Sequence, residues 1–145
     1  MPVHIQDFQH ANYDAVLALW RTSAGVTLRD VDERDPLLAY LDRNPGLSFV
    51  ALDGESVVGA VLCGTDGRRG YLQHLAVATT HRQRGIGRQL AERCVRALKA
   101  RGIYKCHLMV VSGNHPAAAF WSRLGWVVRE DIQLMSHTTS RSPTA

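Results

Sequence analysis

At 145 residues, 46% of them hydrophobic and 21% charged, the chain is long enough for one domain that buries roughly 68–70% of its unfolded surface, with no need of a disulfide or metal staple. No apolar run approaches the roughly 18 residues of a membrane span and no signal peptide precedes the first mixed segment, so the expected location is cytoplasmic. The formal net charge of +4 suits an anionic ligand, but the basic residues do not cluster with aromatics as a nucleic-acid groove requires, so neither nucleic acid nor membrane is expected as a partner.

Residues 3–8 alternate like an edge strand, and residues 12–24 carry Ala15, Val16, Leu19 and Trp20 as a helical stripe. The polar stretch 27–35, with the carboxylates of Asp30, Asp32, Glu33 and Asp35, leads through Pro36 into a short helix over 37–42 that Asn44-Pro45-Gly46 closes. Strands over 47–52 and 56–64 flank the hairpin signal Asp53-Gly54, and Asp66-Gly67 marks a second turn before a strand over 71–77. From Ile86 a long helix shows Leu90, Cys94, Ala97 and Leu98 at helical spacing. A strand over 103–111, a short helix from Asn114 and a closing strand or hairpin over 126–136 follow. The domain is expected to span 1–137, and the Ser/Thr-rich tail 138–145 reads as disordered.

Three cysteines, Cys63, Cys94 and Cys106, are odd in number, widely spaced and set in apolar runs, which marks them as reduced core residues. The seven histidines show none of the usual ligand spacings, and no metal is expected.

The chemistry concentrates in His81-Arg82-Gln83-Arg84-Gly85-Ile86-Gly87-Arg88, which joins a strand to the start of a long helix. The first amides of a helix lack intrahelical partners and carry the positive end of its dipole, so such a junction binds anions. A dinucleotide fingerprint would need a third glycine where Leu90 stands, and the Gly-Lys-Ser/Thr of a P-loop is absent. What remains is Arg82-x-x-Gly85-x-Gly87. Downstream, Asn114-His-Pro-Ala-Ala-Ala-Phe-Trp121-Ser-Arg-Leu-Gly125-Trp126 has an N-cap in Asn114, an early helical proline in Pro116 and a C-terminal glycine in Gly125.

These two segments, with a strand between them, resemble the GCN5-related N-acetyltransferase (GNAT) family. Its pyrophosphate motif is Gln/Arg-x-x-Gly-x-Gly/Ala, and its later segment reads Asn-x-x-Ala-x-x-x-Tyr-x-x-x-Gly-Phe. The stretch from Gly67 to Val77, with Leu19-Trp20, looks most like the YpeA- and RimI-like bacterial members. The resemblance implies an α/β (α+β) fold: a mixed, mostly antiparallel twisted sheet of six to seven strands, flanked by about four helices, with a V-shaped splay between the fourth and fifth strands.

It also implies an N-acetyltransferase that moves the acetyl group of acetyl-CoA to a primary amine by direct attack through a tetrahedral intermediate. The acceptor stays open, a small-molecule amine slightly ahead of a protein N-terminus or lysine, and so does a homodimer. Carried over residue by residue, the main chain of Leu75, Ala76 and Val77 would bond the pantetheine amides, with the Leu75 N–H as oxyanion donor. Arg82, Gln83, Arg84, Gly85, Ile86, Gly87 and Arg88 would hold the pyrophosphate, and Asn114 the pantetheine side. Trp20, Arg21 and the four carboxylates of residues 30–35 fall where the family contacts its acceptor.

The chain departs from the family at both familiar acid/base positions. Trp121 replaces the general-acid tyrosine, and an indole N–H is no acid at neutral pH. Met109 stands where RimI-type members carry a glutamate base. His74 and Tyr71 are the remaining catalytic candidates; histidine's ordinary value near 6.5 suits a base. Strand alternation puts the two side chains on opposite faces unless a bulge intervenes. If the departures mean lost catalysis, the domain is an acyl-CoA-binding sensor without turnover.

Overall fold

The computed structural model describes residues 2–145. Five strands, β1 (His4–Asp7), β2 (Phe49–Asp53), β3 (Ser56–Thr65), β4 (Gly70–Val77) and β5 (Cys106–His107), form one sheet in sequence order. All neighbours are antiparallel except β4 and β5, which run parallel. Helices α1 (Tyr13–Arg21) and α2 (Arg34–Arg43) follow β1; α3 (Ile86–Ala100) joins β4 to β5, and α4 (His115–Arg123) follows β5.

Both faces of the sheet are covered, which is why β2 and β3 read as continuous apolar runs and not as clean alternations. Phe49, Ala51, Val61 and Cys63 pack with α3 and with Trp121 of α4. Their strand neighbours Val50, Ala60 and Leu62 pack with Val16, Trp20, Leu37 and Leu41 on the opposite side. The heptad-like stripe Leu90, Ala91, Cys94, Leu98 seats α3 on the first face.

The helix ends follow from their residues. The Asn114 side chain accepts the Ala117 N–H at 3.2 Å, with proline in the first turn. At the other end Gly125 takes φ 92, the Gly125 N–H bonds Ser122 O and the Trp126 N–H bonds Trp121 O, both at 3.0 Å. That pairing is the Schellman arrangement, which requires a residue free to adopt left-handed backbone. The C-terminus of α3 closes similarly, with the Ile103 N–H on Leu98 O at 3.0 Å.

Two expectations are corrected. The strand over 103–111 shrinks to Cys106–His107, because its first residues are spent closing α3 and the chain leaves β4 after two paired residues. The closing strand or hairpin over 126–136 does not form, so the sheet has five strands in place of six to seven. A two-residue β5 offers almost no ladder to pair with. Residues 126–136 run instead as irregular chain, with Val128 72% and Leu134 76% exposed.

The three cysteines, separate in sequence, are neighbours in space, with the thiols of Cys94 and Cys106 beside that of Cys63. The neighbouring Cys63 thiol and burial push the Cys106 thiol far above the ordinary cysteine range, so it is inert as a nucleophile.

Candidate functional site

Strand β4 carries the site, and a bulge in it does most of the placing. Gln73 pairs with Leu62 and Ala76 with Ala60, so His74 and Leu75 together oppose the single residue Val61. His74 takes φ 56, a left-handed conformation that a non-glycine residue adopts only when its surroundings hold it there. As a result Leu72 and Leu75, three apart, both pack against the α3 face, which strict alternation forbids. Gln73 and His74 both turn toward α1 and α2. Tyr71, paired with Gly64 on β3, shares that face, so the expected opposition of Tyr71 and His74 is removed.

Three groups hold His74. The Trp20 indole N–H donates to the His74 carbonyl oxygen at 3.0 Å, and the two rings meet edge to face at 5.1 Å. Imidazole Nε2 lies 3.0 Å from both carboxylate oxygens of Asp32. Asp32 is only 5% exposed; its carboxylate also accepts the Arg29 N–H at 2.9 Å, and its carbonyl accepts the Tyr13 hydroxyl at 2.8 Å. A buried carboxylate on Nε2 fixes that nitrogen as the N–H, which leaves the lone pair on Nδ1. Among the described residues Nδ1 has no hydrogen-bond partner, and the side chain keeps 20% of its surface exposed. The arrangement is a carboxylate-oriented imidazole able to accept a proton at Nδ1.

Of the residues read as acceptor contacts, Asp32 is therefore buried against His74 and Trp20 is buried beneath it. Asp30, Glu33 and Asp35 remain at least partly exposed. No sequence signal tied Asp32 to a residue 42 positions away. Tyr71 is held differently: its hydroxyl donates to Asp66 at 3.3 Å, and desolvation and that carboxylate keep the phenol above the ordinary tyrosine range. A phenol so held stays protonated and makes a poor base.

On its other edge β4 parts from β5 after the pairs Gly70–Cys106 and Tyr71–His107. The Ala78 N–H crosses to Val58 O on β3 at 2.8 Å, so alternation directs the main chain of Ala76 toward β3 and that of Leu75 and Val77 into the open V. Of the three residues read as a main-chain edge, two face the cleft.

The V ends at the turn before α3. Gln83 at φ 63 and Gly85 at φ 77 curl the backbone, and the first helical bond is the Gln89 N–H on Gly85 O at 3.0 Å. The amides of Ile86, Gly87 and Arg88 precede it and have no intrahelical acceptor, so they form an anion cradle at the positive end of a 15-residue helix. Gly87 has a second reason to be glycine: a Cβ there would stand 3.3 Å from Phe120 of α4. His81 pins the turn, with Nε2 on Asp53 at 2.8 Å, and this hydrogen bond holds the Asp53 carboxyl below its usual range. Arg82 folds back onto Val77 O at 3.3 Å, and the Arg88 guanidinium pairs with Glu92 at 2.9 Å, so only its amide lies at the cradle unshared. Arg84 is exposed.

Asn114 uses its oxygen as the α4 cap and keeps its amide nitrogen near Gly25, in the loop between α1 and α2. Trp121, 9% exposed, stacks edge to face on Phe120 and Trp126 at 5.0 and 5.2 Å. Among the described residues no cluster of three His, Cys, Asp or Glu could hold a metal, and no helix is long and apolar enough to cross a membrane.

Residues 13–126 match the family model for the acetyltransferase (GNAT) family. The chain is 30% identical over 133 residues to an acetyltransferase of Sodalis glossinidius, covering 92% of this chain and 93% of that one. It is 32% identical over 132 residues to an acetyltransferase of Pectobacterium atrosepticum, covering 91% and 93%. Among solved structures it is similar to the PaiA N-acetyltransferase of Thermoplasma acidophilum in complex with coenzyme A, with a TM-score of 0.76 at 18% identity over 85% of this chain and 88% of that one.

Proposed function

Because the chain belongs to the acetyltransferase (GNAT) family and is an acetyl-CoA-dependent N-acetyltransferase, we propose that it acetylates a primary amine by direct attack, with His74 as the base that frees the amine. The observation that carries this reading is the continuity of one edge: the main chain of Leu75 and Val77, which has no strand partner in the V, leads through the turn into the free amides at the start of α3. Those two parts fit the two ends of acetyl-CoA's pantetheine-pyrophosphate arm, one by strand-like hydrogen bonds and the other by anion binding.

An alkyl ammonium has an ordinary pKa near 10.4 and must lose a proton before it attacks. His74 Nδ1 takes that proton, while Asp32 holds the ring and stabilises the imidazolium that results. The Leu75 N–H, beside the bulge, is the donor to the oxyanion of the tetrahedral intermediate in this reading. Trp121 supplies no proton to the leaving thiolate; the proton collected by His74 is the one at hand. Asn114, whose amide nitrogen lies near Gly25, holds the pantetheine side. The acceptor in this reading is a small-molecule amine.

A thermal shift with acetyl-CoA, followed by thiol release over an amine panel, tests the proposal. Stabilisation together with release on at least one small amine is expected. Stabilisation without release on any amine would mean a sensor, and no stabilisation would refute the assigned cleft.

A further inference from the structure

Where β4 and β5 come together, the V does not close on packed side chains but opens into a cavity of about 540 Å³. It lies on the line that the cleft follows down β4: the anion cradle comes after Val77, the bulge at Leu75 follows, and then the cavity beside Tyr71, Leu72 and Gln73. Leu108 and Val110 line its far wall and Trp121 its floor, while Val128, Ile132 and Leu134 form an outer wall. Arg129 is the one cation there, and Asp131 pairs with it at 2.9 Å. The outer wall is open to water, with Ile132 57% exposed, so apolar surface stands ready to be covered. An acetyl group is far smaller than this space, whose volume is that of a small-ligand site.

We propose that the cavity takes the tail of a longer acyl-CoA, so that the enzyme transfers straight, uncharged medium-length acyl groups as well as acetyl; this rests on the cleft assignment made above. Position picks the occupant: a chain extending from a carbonyl at Leu75, away from the phosphates, runs along β4 toward Leu72 and Gln73, which line this cavity. The lining is mostly apolar and its one cation, Arg129, is already paired with Asp131, so an acyl group that ends in a carboxylate would lose hydration there without a free partner. The chemistry is unchanged. The amine nitrogen bonds to the acyl carbon, the carbon–sulfur bond breaks, and coenzyme A leaves as the thiol carrying the proton that the amine lost.

Binding of acetyl-, butyryl-, hexanoyl-, octanoyl- and succinyl-CoA to the full chain by calorimetry tests this without knowledge of the acceptor. Affinity should rise about fourfold for each methylene buried along the straight series, and succinyl-CoA should bind no better than acetyl-CoA. Val110→Trp, and independently Ile132→Glu on the exposed wall, should lower the octanoyl-to-acetyl affinity ratio. Acetyl-CoA binding with flat or falling affinity along the series overturns the proposal and leaves the cleft intact. Failure of every thioester to bind overturns the cleft itself. Flat affinity together with a concentration-dependent dimer in sedimentation would mean that a second copy covers the wall, which also overturns the acyl assignment.

Discussion

Two residues without glycine's freedom adopt left-handed backbone, His74 at φ 56 and Gln83 at φ 63, and they are held in opposite ways. His74 sits half-buried in β4, tied at its carbonyl by Trp20 and at its ring by Asp32. Gln83 sits exposed in the turn before α3, where the local anchors are the side chains of His81 and Arg82 just before it. Such a conformation costs of order 1–3 kcal/mol. At His74 the core bears that cost in advance and keeps the ring in one orientation. At the turn the free amides wait for an anion to complete them. One conformation is held through the fold, the other within its own turn.

Substitutions can break that contrast, and the largest effect is expected at the turn. Gly87→Asp puts negative charge in the cradle and a side chain against Phe120. Turnover should disappear, together with the acetyl-CoA thermal shift, which at 100 times Kd is worth about 2.7 kcal/mol. Normal acetyl-CoA affinity in a folded variant would refute the cradle. His74→Gln should lower kcat about 100-fold or more while the acetyl-CoA shift stays intact, and Asp32→Asn should lower it by less and alter the pH–rate profile. An unchanged rate in both would reduce the bulge to a structural device.

Smaller effects sharpen the comparison. Trp20→Phe removes the indole donor to His74 and leaves space in a fully buried site, a loss of about 2 kcal/mol in a denaturant titration. Trp121→Tyr restores the family's phenol and should raise the rate or leave it unchanged, at a stability cost of about 1 kcal/mol from the looser aromatic stack. A large loss of rate would show that the indole has its own role. The smallest effect is a pH dependence. The Asp53 carboxyl is held below its ordinary 3.8 by the hydrogen bond from His81. Its contribution is therefore present above that value and lost as pH falls through the lower folded one. Below about pH 4, melting temperatures should fall less steeply in Asp53→Asn than in the unmodified protein.

Length, patterning and turn chemistry determined much of this protein by themselves. Asn114 and Gly125 bound α4 because capping is local: an amide oxygen three residues from the N–H it accepts, and a residue free to turn left-handed. The strands β1 to β4 and the start of α3 followed from signals only a few residues long, and the glycine spacing singled out the turn before α3. Tertiary structure alone decided the rest. The brevity of β5 depends on how far β4 accompanies it, so the strand character of residues 103–111 and 126–136 had no ladder to join. The bulge that turns His74 toward α1 depends on Val61, Trp20 and Asp32, none of them near it in sequence. A side chain's face on a strand follows from period-two alternation only while register holds, and register is a property of two strands. The acid/base question therefore could not be resolved along the chain, because the group that orients His74 reaches it only through the fold.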